Sequence, residues 1–124
     1  MWWLRRLWDR KSLGERGERV AARYLRRQGF RILDRNVETG RYELDLICRD
    51  GDTIVFVEVR SRLSEEETYP EDSIGPVKQH HVRQAVQWYI SRHYDPERYY
   101  RIDVVAVNFK PDGSKTVRHF TDAF

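Results

Sequence analysis

The residues of this chain best suited to chemistry are carboxylates set two apart in β-prone runs. In Tyr42-Glu-Leu-Asp-Leu-Ile47 the two-residue side-chain period places Glu43 and Asp45 on one face and Leu44 and Leu46 on the other. In Ile54-Val-Phe-Val-Glu-Val-Arg60 the same period groups Glu58 and Arg60 with Phe56, opposite Val55, Val57 and Val59. Carboxylates among apolar neighbours are costly unless a cation compensates them, and hard oxygen donors suit Mg²⁺ or Mn²⁺. An isolated Glu-x-Arg at a strand end is ordinarily a pair of neighbouring surface charges. The second strand, carrying Asp45, turns the reading toward a divalent metal, with Asp45, Glu58 and the Val59 carbonyl as its oxygen ligands.

Such a site needs elements to position it. Ser12-Leu-Gly-Glu15 has the spacing of a capping box and predicts a helix start at Ser12, with Gly29 as its left-handed stop. Between them Ala21, Ala22 and Leu25 form an inner face, while Arg19, Arg23, Arg26 and Arg27 make a basic outer stripe fit for phosphate. Three β-prone runs follow as a meander: about Phe30 to Arg35, Tyr42 to Cys48 and Thr53 to Arg60. The acidic stretch from Ser61 to Gly75 reads as a mobile loop. Pro76 opens a second helix that ends at Asp95-Pro96, with Lys78 near its start placed to contact phosphate. His80 and His81 point about 100° apart on that helix, which speaks against a shared metal. Ile102 to Phe109 and Thr116 to Phe120 close the chain as a hairpin around Lys110-Pro-Asp-Gly-Ser114, and Arg101 pairs with Asp103 as a structural salt bridge. The order α-β-β-β-α-β-β predicts one α/β domain, a mixed central sheet flanked by helices.

Length and composition bound what that domain does. One core fits in 124 residues and two do not, so the site must lie within a single fold, residues 12–124, preceded by a partly ordered arm at 1–11. The net charge is only +3, yet most of the 23 basic residues are arginine, whose planar fork suits phosphate oxygens. Cys48 is the only cysteine, which excludes an intramolecular disulfide and a cysteine-built zinc site within one chain, and fits a reducing, cytoplasmic compartment. The Trp-rich start, Met1 to Trp8, runs straight into Asp9, Arg10 and Lys11. It has no signal-peptide core, and the tryptophans are expected to cover a hydrophobic surface of the protein rather than contact a membrane.

Several of these segments occur together, in order, in a known family. Gly17-Glu18, Ala-Ala-Arg-Tyr-Leu at 21–25, Gly29, Arg35-Asn36, Glu43-Leu-Asp-Leu-Ile47, Phe56-Val-Glu-Val59, Lys78, Arg101-Ile-Asp103 and Asp122-Ala-Phe124 resemble the bacterial family usually called YraN over about residues 12–124. That family is itself likened to restriction-endonuclease-like and Holliday-junction-resolvase-like folds of the PD-(D/E)xK type. The resemblance implies that Asp45 is the aspartate of the nuclease motif and Glu58 the acid of its E-x-K element, together holding the metal. It implies that Glu18 is the additional helix-borne acid of resolvase-like members; favourable charge near a helix N-terminus is the competing account of Glu18. Two positions depart from the pattern. Tyr42 stands where the family usually has glycine, and Arg60 stands where the motif has lysine, keeping the charge without an easily released proton.

The leading expectation is therefore a Mg²⁺- or Mn²⁺-dependent DNA endonuclease, branched DNA included, with Asp45, Glu58, Arg60 and Glu18 as its catalytic set and Arg19, Arg23, Arg26 and Lys78 on the nucleic acid. A homodimer would let two sites address two strands. A nuclease-fold binding module without efficient cleavage is the alternative that Arg60 favours, and a scaffold acting through the Trp-rich arm is the third.

Overall fold

A computed structural model describes residues 10–65 and 74–124. The arm expected at 1–11 and the middle of the 61–75 loop thus lie largely outside the described residues. Two helices and five strands follow in the expected order: α1 (Arg10–Arg27), β1 (Arg31–Glu38), β2 (Glu43–Asp50), β3 (Thr53–Leu63), α2 (Pro76–His93), β4 (Tyr99–Phe109) and β5 (Lys115–Phe120). No helix among these residues is long and apolar enough to cross a membrane.

The sheet runs β1-β2-β3-β4-β5. Its first three strands form an antiparallel meander, and β5 returns antiparallel on β4. The helix between β3 and β4 makes those two parallel, from Thr53↔Tyr99 to Leu63↔Phe109. The sheet is mixed for that reason. Alternation along β3 sends Val55 and Val57 into a core with Ala21, Ala22 and Leu25 of α1, and Phe56 into another with Val82, Ala85 and Val86 of α2. The helices therefore cover opposite faces, giving three layers.

Local chemistry fixes the ends. Gly29 adopts φ 95°, and the amide of Phe30 donates to the Leu25 carbonyl at 2.9 Å, closing α1 as its glycine predicts. Pro76 occupies the first turn of α2 after Gly75. Several boundaries move, among them the end of β1, which runs on to Glu38. Helix α1 is already running at Arg10, so Ser12 stands within it. Strand β3 continues to Leu63, because its parallel ladder with β4 provides partners past Arg60. Strand β4 starts three residues before Ile102, at Tyr99, where the same ladder begins.

Candidate metal centre

The β2–β3 ladder is recorded from Asp50↔Thr53 to Leu46↔Val57 and stops there, while β3 stays paired to β4 through Leu63. The two strands fork just beyond Leu46. Asp45 stands at the fork, where its Oδ2 accepts a hydrogen bond from the Val59 amide at 2.8 Å and so stands in for the lost strand pairing. The fork also breaks the alternation expected of β2. Leu46 packs on the α1 side and Leu44 in the α2 core, so the two do not share a face.

Helix α1 crosses the sheet close to this point. A Cβ at Gly17 would overlap the Ser61 hydroxyl and stand 2.8 Å from the Ser61 Cβ, so only glycine permits the approach. The next residue, Glu18, is thereby carried over the fork. It lies two turns into a helix with no acid in its first turn, which removes the helix-terminus account of its position. Glu18, Glu43 and Asp45 each bring a carboxylate oxygen within 4.8 Å of the other two. Glu58, buried at 6% exposure on the facing strand, brings its charge to bear on Asp45. Asp45 is thus common to two acidic groupings, Glu18–Glu43 above it and Glu58 beside it.

The electrostatics follow from that crowding. Burial, then the charges of Asp45 and Glu43, pushes the Glu18 carboxyl up to about 7. Burial, then the charge of Glu58, pushes Asp45 up to about 7, against the pull of the Val59 amide and Lys78. Glu43 is raised as well, by burial and by Glu38 and Asp45. Carboxyls that hold protons near neutrality are short of positive charge.

Lys78 and Asn36 are among the polar groups that meet these acids. Lys78, expected on phosphate, puts its Nζ 3.2 Å from Glu58 Oε1, so α2 delivers a cation into the site itself. Asn36 lies in β1 across from Asp45, between the pairs Arg35↔Leu46 and Val37↔Leu44, with a left-handed φ of 50°. With its amide turned to satisfy its neighbours, it donates to Glu18 Oε2 at 3.0 Å and Glu43 Oε1 at 2.6 Å. Asn36 and Glu43 are the members of the site to which sequence reasoning gave no role. The available signal was an asparagine directly after the first β-prone run, a residue type that tolerates positive φ.

An open cleft of about 590 Å³ gives access to the site, lined by Leu13, Gly14 and Glu18 of α1, Asp45 of β2, and Glu58, Val59, Arg60 and Ser61 of β3. All four residues expected to be catalytic therefore face one cavity. Arg19 and Arg23 line a different cleft, and Arg26 lies exposed at the far end of α1, so the basic stripe is not part of the acidic site. Val59 contributes its amide to Asp45. His81 lies flat against Tyr42, with ring centroids 4.0 Å apart and planes at 19°, which gives the tyrosine at that unusual position a packing partner.

A family model described as "Uncharacterised protein family UPF0102" matches residues 17–107, a span that includes Glu18, Asn36, Glu43, Asp45, Glu58 and Lys78. The chain belongs to this family. Among UPF0102 proteins it is similar to one of Anaeromyxobacter dehalogenans, with 50% identity over 115 residues, covering 93% of this chain and 85% of the relative. A UPF0102 protein of Syntrophotalea carbinolica is 42% identical over 117 residues, 94% of either chain. One of Pelotomaculum thermopropionicum is 43% identical over 116 residues, covering 93% and 97%. The YraN resemblance carried by the sequence motifs is this same family.

Proposed function

We propose that this UPF0102 chain hydrolyses phosphodiester bonds of DNA, branched DNA included, with Mg²⁺ or Mn²⁺ as its cofactor. The observation that carries the reading is Asp45: a largely buried carboxylate at a strand fork, crowded by Glu18, Glu43 and Glu58 and raised to about 7. The donor set is all oxygen and short of positive charge, which fits a hard divalent ion. Asp45 and Glu58 would hold it, with Glu18 and Glu43 completing the acidic wall. Bound there, the ion would polarise the phosphoryl group and favour loss of a proton from the attacking water.

The chain's own residues account for the rest. Val59 fixes Asp45 through its amide, and Lys78 fixes Glu58 through an ion pair, so both carboxylates are oriented in advance. Asn36 holds Glu18 and Glu43 to each other. Arg60 lines the same cleft and keeps a positive charge where a phosphate would enter. Because arginine does not release a proton readily, Arg60 also supports the second reading, a nuclease-fold module that binds nucleic acid without cutting it.

The test is a cleavage screen on linear, nicked, single-stranded and four-way-junction DNA with Mg²⁺ or Mn²⁺ and a chelator control, alongside calorimetric titration of Mn²⁺. Binding in the millimolar range or tighter is expected, and the double variant Asp45→Asn, Glu58→Gln should lose both heat and cleavage. Metal binding unchanged in that variant would remove the ion from this site. Metal and DNA binding without cleavage of any substrate would leave the binding-module reading.

A further inference from the structure

A second cleft, on the flank of α1 turned away from the acidic site, gathers positive charge alone. Arg16, Arg19, Val20 and Arg23 of α1, Phe109 at the end of β4 and Lys115 at the start of β5 line an open cavity of about 300 Å³. All four cations are exposed, and among the described residues no carboxylate forms an ion pair with any of them. Glu15, one helical turn before Arg19, makes no ion pair with it. Like charges around one cavity repel, and an anion seated among them reverses the sign of that interaction.

The shape selects among anions. Arg16 and Arg23 fall on the same side of the helix, seven residues apart, so their Cα atoms are separated by about 10 Å along its axis. That spread matches about three nucleotides of a strand that rises about 3.4 Å each, so the row of cations is long enough to follow a strand. Arginine forks suit phosphate oxygens, and the core residue Phe109 closes the floor beneath them. Helix α1, about 10 Å across with its side chains, stands between this cleft and the acidic site.

We propose that the cleft between α1 and the β4–β5 hairpin binds the phosphate backbone of a nucleic-acid strand, at a part of the substrate other than the phosphate being cut. The cleft takes its substrate class from the nuclease-type reading above, and its binding does not require cleavage. It adds Arg16 and Lys115 to the nucleic-acid contacts, keeps Arg19 and Arg23, and leaves out Arg26 and Lys78.

The experiment is fluorescence anisotropy of labelled duplex and four-way-junction DNA in chelator, so that nothing is cut, as salt rises from about 50 to 200 mM. The triple variant R16Q/R23Q/K115Q alters exposed side chains, and circular-dichroism melting checks that its fold is kept. A second variant, R31Q/R83Q/R92Q, removes the same charge from exposed positions elsewhere. The cleft variant should lower the slope of log affinity against log salt by about 2–3, at close to one per lost phosphate contact. Its affinity at low salt should fall more than tenfold, while the control stays near the parent. A slope unchanged in the cleft variant, an equal loss in the control, or no DNA binding by the parent overturns the proposal. DNA bound through the cleft but uncut in Mn²⁺ would instead defeat the nuclease reading and leave the cleft standing. Cleavage that depends on Asp45 with binding indifferent to the cleft would do the reverse.

Discussion

Replacing Asp45 by asparagine should make the metal-free protein more stable, and increasingly so as pH rises. The Asp45 carboxyl moves from 3.8 to about 7 on folding, through burial and the charge of Glu58. Since the folded pKa lies above the unfolded one, the folded state binds the proton more tightly between about pH 4 and 7, and stability declines as pH rises through that window. At about 1.4 kcal/mol for each pH unit the ceiling is about 4 kcal/mol; relaxation of the Asp45–Glu58 pair brings the expected value to about 2–4 kcal/mol. Asparagine keeps an oxygen for the Val59 amide, so the hydrogen bond of 2.8 Å survives the change. For a domain of this size that corresponds to a melting temperature roughly 6–15 °C higher at pH 8. Near pH 4 the two proteins should melt together. Melting curves followed by circular dichroism at pH 4, 6 and 8, each in chelator and in Mn²⁺, read out the effect, and Mn²⁺ should raise the parent and not the variant. An Asp45→Asn protein less stable than the parent at pH 8, or a gap independent of pH, would refute the account of Asp45 as a carboxylate held against its own electrostatics.

The other expectations concern single side chains. Gly17→Ala drives a methyl into Ser61 and should cost about 1–3 kcal/mol by overpacking, whereas Gly14→Ala, with open space around it, should stabilise α1 by up to about 1 kcal/mol; urea unfolding of the two separates a close approach from mere helix propensity. Asp103 is fully buried and accepts from Arg101, from the Asp122 amide and, in the charge-paired form, from His119. Burial alone would raise its carboxyl, but those partners hold it below the ordinary range, so its contribution is present above about pH 4 and is lost as pH falls further. Asp103→Asn should therefore cost about 3–5 kcal/mol at pH 7 and much less in acid; equal losses at both pH values would contradict this. In the cleavage assay, Arg60→Lys should retain or raise activity and Arg60→Ala should lose about 100-fold, the scale of one lost transition-state cation; an alanine variant as active as the parent would remove Arg60 from the reaction.

The sequence by itself determined the element order, the two-faced sheet and the pair Asp45 and Glu58. Each depends on a short-range period: apolar residues at helical spacing around Ala21, Ala22 and Leu25, alternation along Val55, Phe56 and Val57, and glycine or proline at Gly29 and Pro76. The family, too, was legible in its motifs. What only the tertiary structure decided is how segments distant along the chain meet. Nothing in a linear pattern says that β2 leaves β3 beyond Leu46, so alternation wrongly placed Leu44 beside Leu46. Nor does it say that Gly17 lets α1 settle on Ser61 and bring Glu18 over the fork, or that Asn36 turns to bind Glu18 and Glu43. Lys78 was expected to contact phosphate, and its ion pair with Glu58, 20 positions away, arises only through the packing of α2 on the sheet. The charge of a residue is written in the chain, but whether it meets a carboxylate or faces a cleft is set by which elements the cores bring together.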